Sequence, residues 1–394
     1  MRIAVIGSKG LPPHQGGIEH HCAEIYPRMV GAGHSVDLYA RSSYNSSAPV
    51  RHYKGVRVVT VPSVPAKGID AFACSGMAAA MTLRQSYDIV HFHALGPALF
   101  SVLPSLFSSA QVITTCHGLD WQRSKWGAFS SRVIRLGEQS AVKFSDRLVV
   151  VSEALQAYFW KQYGLETPYI ENAPVAYADS DTRFTYGHQL GLTQRRYLLF
   201  LGRLVPEKRA DLLLKAFHAI TLAKQYPDWK LVLVGDRSDT GTFTAELLRL
   251  ADNHPNIIFT GELQGQRLAE IVRGAGLFVL PSDLEGLPLA LLEAMAEKVP
   301  AVISDIPVHR QMMGRDRGLT FRAGDQQDLQ IKLAWAMRHP SKMVQMAAKA
   351  QRYVQDHHNW DNIAHKYMAL YESLLGEAQV LSKPMPVRVG TKSS

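Results

Sequence analysis

Short runs rich in β-branched residues alternate along this chain with longer stretches of helical period, and that alternation narrows its possible folds more than any other feature. RIAVI (2–6), SVDLYA (35–40), VRVVTV (56–61), DIVHFH (88–93), QVITT (111–115) and RLVVVS (147–152) read as strands in the first half. In the second half the same reading falls on YLLFLG (197–202), KLVLVG (230–235), NIIFT (256–260), LFVLP (277–281) and AVIS (301–304). Segments such as DLLLKAFHAITLAKQY (211–226) repeat their apolar residues at the helical spacing. Parallel neighbours need a long crossover, so strand–helix alternation predicts parallel sheets with helices on both faces.

The alternation pauses over 173–196, APVAYADSDTRFTYGHQLGLTQRR, and then restarts. A chain of 394 residues also exceeds one ordinary core. The expectation is an α/β architecture of two doubly wound, Rossmann-like domains facing each other across a cleft. An N-terminal domain over 1–175 and a linker over 176–196 precede a C-terminal domain over 197–358. A closing helix over 359–376 and a flexible tail over 377–394 follow. Ligands of such sheets sit beyond the carboxyl ends of the strands, so the loops there are the places to look for chemistry.

Composition removes several alternatives. Cys22, Cys74 and Cys116 lie far apart with no CxxC pair, which argues against a disulfide framework or a zinc site and fits a reducing cytoplasm. MRIAVIG reads as a strand rather than a signal peptide. The most apolar window, GPALFSVLPSLFSSAQVITT (96–115), is broken by Pro104 and several serines; it reads as a buried helix followed by a strand, not a membrane span. The formal charge of +9 fits either a solvated basic surface or attraction to anionic substrates or an anionic leaflet. No basic block interleaved with aromatics points to nucleic acid.

Three loops could hold an anion. After the first strand, GSKGLPPHQGGIEHH brings Gly16 and Gly17 to the start of a helix; they either expose amides to a phosphate or make an ordinary tight turn. Its spacing departs from the dinucleotide fingerprint. In GRLVPEKRADLLLKAF, Arg203 stands at a strand end and Lys208 five residues on; they suit a diphosphate, or they are two exposed cations beside Glu207. In FVLPSDLEGLPLALLEAMA, a strand, a polar loop and a helix follow one another, with Pro288 expected at the first helical position. The amides of Gly286 and Leu287 would then precede a helix N-terminus. Glu285 and Glu293 stand on either side, and carboxylates accept pairs of sugar hydroxyls. Alternatively, Glu293 is a buried acid satisfied by a backbone or arginine partner.

GRLVPEKRADLLLKAF, LVLVGD and FVLPSDLEGLPLALLEAMAEKVPAVISD occur in this order, and together they resemble the donor domain of the retaining glycosyltransferases of family 4, which have the GT-B fold. The first loop, VVSEALQAYFWKQYG and NWDNIAHKYMALYESLL (359–375) extend the resemblance over roughly 1–376; HGLDWQRSKW (117–126) is similar to a rhamnosyltransferase-like subgroup.

The resemblance implies a nucleotide diphosphate sugar as donor and no cofactor or metal. Arg203, Lys208 and the amides at Gly286 and Leu287 would hold the diphosphate, with Gly16 and Gly17 approaching it. Glu293 would take the ribose and Glu285 the donor sugar, and His117 would contact that sugar. Asp120, Arg123 and Lys125 would line the acceptor side. The closing helix would cross back onto the first domain. A glycan or lipid-linked glycan acceptor follows from family habit, with peripheral association at the cytoplasmic membrane face as its companion expectation. His91 and His93 read as core or cleft wall.

Two positions depart from the family pattern. Arg209 replaces a common glycine, and ENAPV (171–175) replaces an Asn-Gly pair. The DSD at 179–181 matches a metal-binding motif of another glycosyltransferase fold, but its place in the linker makes it a coincidence. Two other functions remain open: an epimerase of the same fold, which would need acid and histidine pairs at the sugar, and a non-catalytic nucleotide-sugar-binding protein.

Overall fold

The computed structural model describes residues 1–382 except 14–15, 45–49, 63–68, 123–126, 223–225 and 236–240. The chain forms two compact units, one of Met1–Thr115, Leu136–Val149 and the residues from Asp361, the other of Cys116–Arg135 and Val150–Trp360.

The first sheet contains β1 (Arg2–Ile6), β2 (Ser35–Arg41), β3 (His52–Tyr53), β4 (Val56–Val61), β5 (Ile89–His93), β6 (Gln111–Cys116) and β7 (Arg147–Val150). Its order is β3-β4-β2-β1-β5-β6-β7, with the two-residue β3 antiparallel on β4. Helices α1 (Gly17–Gly31), α2 (Ile69–Thr82), α3 (Val102–Phe107) and α4 (Ala128–Phe144) connect these strands. Strands that are buried along nearly their whole length, such as IVHFH of β5, need cover on both faces.

The second unit opens with α5 (Glu153–Tyr163) and α6 (Thr185–Gln189). Its sheet comprises β8 (Tyr197–Leu201), β9 (Lys230–Val234), β10 (Ile257–Gly261), β11 (Leu277–Leu280), β12 (Ala301–Ser304) and β13 (Leu319–Phe321). Around it run α7 (Ala210–Leu222), α8 (Gly241–Ala251), α9 (Gly265–Gly274), α10 (Leu289–Ala296), α11 (Pro307–Met313), α12 (Gln326–Arg338) and α13 (Pro340–His357). The order is β10-β9-β8-β11-β12-β13 and every pairing is parallel. Counted within the unit this is 3-2-1-4-5-6, the doubly wound order, and it reverses between β8 and β11. Phe200, Phe217, Phe278 and Phe321 fill the core between sheet and helices.

Several expectations change in detail. The 176–196 segment is not merely a polar connection: α6 lies in it, and Phe184 and Leu192 are buried in the second unit's core. The 96–115 window yields a 3₁₀ turn (Pro97–Ser101), the short α3 and β6; α3 is not a fully buried helix, because Leu106 and Phe107 are exposed at its end. No described helix is long and apolar enough to cross a membrane.

The final helix, α14, runs Trp360–Ser382, so 377–382 continue it rather than fraying; 383–394 lie outside the described residues. Within the first unit the Tyr371 hydroxyl meets His91 Nδ1 at 2.7 Å and the Tyr367 hydroxyl meets Thr115 Oγ1 at 3.1 Å. The Tyr26 hydroxyl reaches His91 Nδ1 at 2.9 Å and His93 Nε2 at 2.6 Å, and all three rings are buried. These histidines belong to a satisfied core network.

Candidate active site

The reversal between β8 and β11 opens a crevice at their carboxyl ends, because the connections from these two strands leave in opposite directions. The loops after both strands carry the residues singled out in the sequence. Gly202 and Arg203 follow β8, and Glu285 lies in the loop between β11 and α10. Gly202 has φ +152 and Gly235 φ +157, and a Cβ at Gly235 would stand 1.9 Å from the Gly202 carbonyl oxygen. Gly235 follows β9, so the backbones after β8 and β9 touch, an approach that only glycine at 235 allows.

Lys208 ends a 3₁₀ turn, Pro206–Lys208, that leads into α7. Its Nζ donates to Glu285 Oε1 at 2.5 Å, with the two side chains 16% and 9% exposed. The Ser282 hydroxyl donates to the same oxygen at 2.7 Å. Burial pushes the Glu285 carboxyl up, but the Lys208 charge and the donors around it outweigh that effect and hold it below its ordinary range. His309, on α11, is buried beside this pair, and burial pushes it down to about 4. It is therefore neutral at pH 7, so Lys208 supplies the neutralising charge. Ser304 ties the wall together, its hydroxyl donating to the Ser282 carbonyl and meeting His309 Nδ1.

Arg209, the residue standing in place of a glycine, has φ +53. That left-handed conformation explains a glycine preference here. The arginine compensates with ion pairs to Asp211 (3.1 Å) and Asp283 (2.8 Å), while the Asp283 amide donates to the Glu207 carbonyl at 2.9 Å. The cationic turn is thus pinned to the Glu285 loop.

Pro288 is the N-cap of α10 rather than its first helical residue, which is Leu289; its carbonyl accepts from the Leu291 and Leu292 amides. The missing proline N–H is an orphan at either position, so the shift costs nothing. Leu291, Leu292, Ala294 and Met295 bury the helix in the core. Leu287 is half-buried against that core. A Cβ at Gly286 would stand 1.9 Å from the His117 carbonyl oxygen, so the structure brings together Gly286 and the segment after β6 within the second unit.

Glu293 does not find a backbone or arginine partner. Its Oε2 accepts from the Tyr177 hydroxyl at 2.8 Å. Burial pushes its carboxyl up to about 7, against the lowering effect of that hydrogen bond.

Gly16 (φ +95) caps α1 in the first unit, with Gly17 as the first helical residue. The buried Glu19 carboxylate accepts from the Lys9 amide at 2.9 Å, and a Cβ on Gly16 would stand 2.2 Å from its other oxygen. The turn is closed by the chain's own acid, which repels a second anion; this favours the tight-turn reading. Asp120 starts a 3₁₀ turn, Asp120–Gln122. Arg123 and Lys125 lie outside the described residues. Asp181 of the DSD accepts from the Arg183 amide and from the hydroxyl of Thr185, the first residue of α6, so its contacts are local to its own turn.

Sequence reasoning missed Tyr177, Ser282 and His309. Ser282 stands three residues before Glu285 and was open to notice as a local hydrogen-bond donor. Tyr177 is 116 positions from Glu293, and no local pattern links them.

Comparison with known proteins agrees with this architecture. Residues 15–172 match the family model "Glycosyltransferase Family 4", and residues 185–353 match "Glycosyl transferases group 1". D-inositol 3-phosphate glycosyltransferase of Rhodococcus opacus is 24% identical, covering 94% of this chain and 90% of the relative. The GDP-mannose-dependent alpha-(1-6)-phosphatidylinositol monomannoside mannosyltransferase of Mycobacterium tuberculosis is 23% identical over 93% and 97%. Among solved structures, sucrose-phosphate synthase from Thermosynechococcus elongatus superposes with a TM-score of 0.82 at 20% identity, covering 95% of this chain and 99% of that one. Anabaena HepE in complex with UDP and glucose gives 0.78 at 17%, covering 95% and 100%. The chain therefore belongs to glycosyltransferase family 4 and has the GT-B fold.

Proposed function

We propose that the protein is a retaining, metal-independent transferase that moves a hexose or deoxyhexose from a nucleotide diphosphate sugar to a hydroxyl of a glycan or lipid-linked glycan, in cell-surface polysaccharide assembly. The observation that carries this reading is the Lys208–Glu285 pair at the point where the strand order reverses, with Arg203 at the end of β8. A cation and a carboxylate, each with part of its hydrogen-bonding capacity unused, suit a ligand that is anionic at one end and hydroxylated at the other. The protein's relatives include a D-inositol 3-phosphate glycosyltransferase and a GDP-mannose-dependent mannosyltransferase, and the HepE structures are complexes with UDP and glucose or with UDP-glucose.

Arg203, Lys208 and the amides at Gly286 and Leu287 take the diphosphate, Glu293 the ribose and Glu285 the donor sugar. His117 contacts that sugar, and Asp120 lies on the acceptor side. In the transfer, the acceptor oxygen bonds the anomeric carbon on the face from which the phosphate leaves. The carbon–oxygen bond to the phosphate breaks, and the acceptor proton passes to a leaving phosphate oxygen. The cations and the helix start stabilise the departing charge, the work a metal performs elsewhere. A lipid-linked acceptor would bring the protein to the inner membrane face.

The test mixes purified protein with uridine, guanosine and thymidine diphosphate sugars and candidate acceptors and follows nucleoside diphosphate release, with and without chelator. Acceptor-dependent release with retained anomeric configuration, unaffected by chelator, is expected. Binding without release across acceptors would indicate a binding protein, and conversion to another nucleotide sugar an epimerase.

A further inference from the structure

We propose that Tyr177 is a positioning residue for Glu293: its hydroxyl fixes one carboxylate oxygen and leaves the other to accept ribose hydroxyls. This rests on the ribose reading of Glu293 given above.

Three observations carry it. The Tyr177 hydroxyl donates to Glu293 Oε2 at 2.8 Å, while Oε1 takes no hydrogen bond from any described residue. A carboxylate held at one oxygen keeps two acceptor sites on the other in a fixed direction. Second, Tyr177 comes from an extended segment, outside any helix or strand, that is independently clamped. Arg273 of α9 donates through Nη1 to the Ala178 carbonyl (2.8 Å) and the Ser180 hydroxyl (3.0 Å). The same guanidinium grips both oxygens of Glu297 at 2.8 and 3.0 Å. Glu297 follows Glu293 by one helical turn, so one arginine locks the tyrosine's segment to the helix that carries the acid. Third, burial works against the ionised form of Glu293, and the phenol donor is what opposes it. Burial and the neighbouring acid keep the Tyr177 hydroxyl protonated, so it stays a donor across the working range.

The charged groups around this contact are Arg273 on α9, Glu297 at the end of α10, and Asp179 on the tyrosine's own segment. From α13, the neutral Gln351 donates to the Ala296 carbonyl. Arg273 is neutralised by the bidentate Glu297, which leaves the hydrogen bond as the main lever on Glu293.

The test uses the full chain and isothermal titration with uridine, guanosine, adenosine and thymidine diphosphates between pH 6 and 9. In the wild type, affinity should rise with pH as Glu293 ionises and level off above about 7. Tyr177→Phe keeps the ring and its packing but loses the donor. Its affinity should fall about tenfold at pH 7, as expected for loss of a charge-assisted hydrogen bond. The rise should move to higher pH, and the gap to the wild type should narrow to within about threefold at pH 9. An equal loss at every pH, or no change, would overturn the positioning role, and unchanged thermal unfolding excludes misfolding. Glu293→Gln separates the two readings. If it leaves nucleotide affinity intact, the ribose assignment fails; if it weakens affinity while Tyr177→Phe shifts nothing, only the tyrosine's role fails. Failure of the wild type to bind any nucleotide would refute both.

Discussion

Substituting Lys208 by methionine should turn Glu285 from a settled acid into an uncompensated one. Its partner Nζ lies 2.5 Å away, and the side chains are 16% and 9% exposed, so water cannot replace the lost charge well. Removing one member of such a pair costs about 3–5 kcal/mol. For a domain of this size that lowers Tm by on the order of 10 °C. The pH dependence gives the sharper reading. In the wild type the folded carboxyl sits below its ordinary 4.5. The stability it contributes is fully present above 4.5 and is lost only as pH falls through the folded value. Between pH 5 and 8 that contribution is flat. Without Lys208, burial dominates and raises the carboxyl above 4.5, so stability then falls as pH rises through the new value. Thermal unfolding followed by circular dichroism at pH 5, 6, 7 and 8 should show the deficit of Lys208→Met widening with pH. Glu285→Gln in the same background should recover most of it. A variant within 2 °C of the wild type at every pH (below even a 1 kcal/mol effect), or a double variant no better than the single, would refute the reasoning.

Three further outcomes follow from the same geometry. Glu293, raised to about 7, contributes stability that is present below its ordinary 4.5 and lost as pH rises through 7. The donor-free protein should therefore weaken by on the order of 3 kcal/mol from pH 5 to 9, and urea titrations of Glu293→Gln should lack that slope. At Arg209, glycine relieves about 1 kcal/mol of left-handed strain but loses two partly exposed ion pairs, a near cancellation; alanine keeps the strain and loses the pairs. Urea unfolding should rank glycine above alanine, and the reverse order would contradict the strain argument. Gly286→Ala places a Cβ 1.9 Å from the His117 carbonyl oxygen, so the loop must move; nucleoside diphosphate affinity should drop at least about tenfold, measured by titration.

Most strands were legible because burial on both faces imposes apolar, β-branched runs, and the partly exposed β4 and β10 keep β-branched runs too; the ends fall within two residues of those observed. KLVLV and AVIS are examples. The exceptions are short: β3 has two residues and β13 three, too few to show a period. The segment around Phe184 looked like a linker because its polar residues outnumber the few that anchor it. Glu285 and Glu293 stood out because an acid in apolar company demands a reason, and Arg209 because it replaces a glycine.

The sequence by itself determined the layered α/β class, the loop–helix unit carrying both glutamates and the cationic turn after β8, since each depends on residues close together along the chain. Tertiary structure alone decided the strand order that sets β8 beside β11, and hence that Lys208 meets Glu285. It also decided that a tyrosine from an apparent linker, not an arginine or the backbone, satisfies Glu293. Those pairings span 77 and 116 positions. Chain crossovers and packing of the whole sheet bring them together, and no local propensity encodes such a meeting.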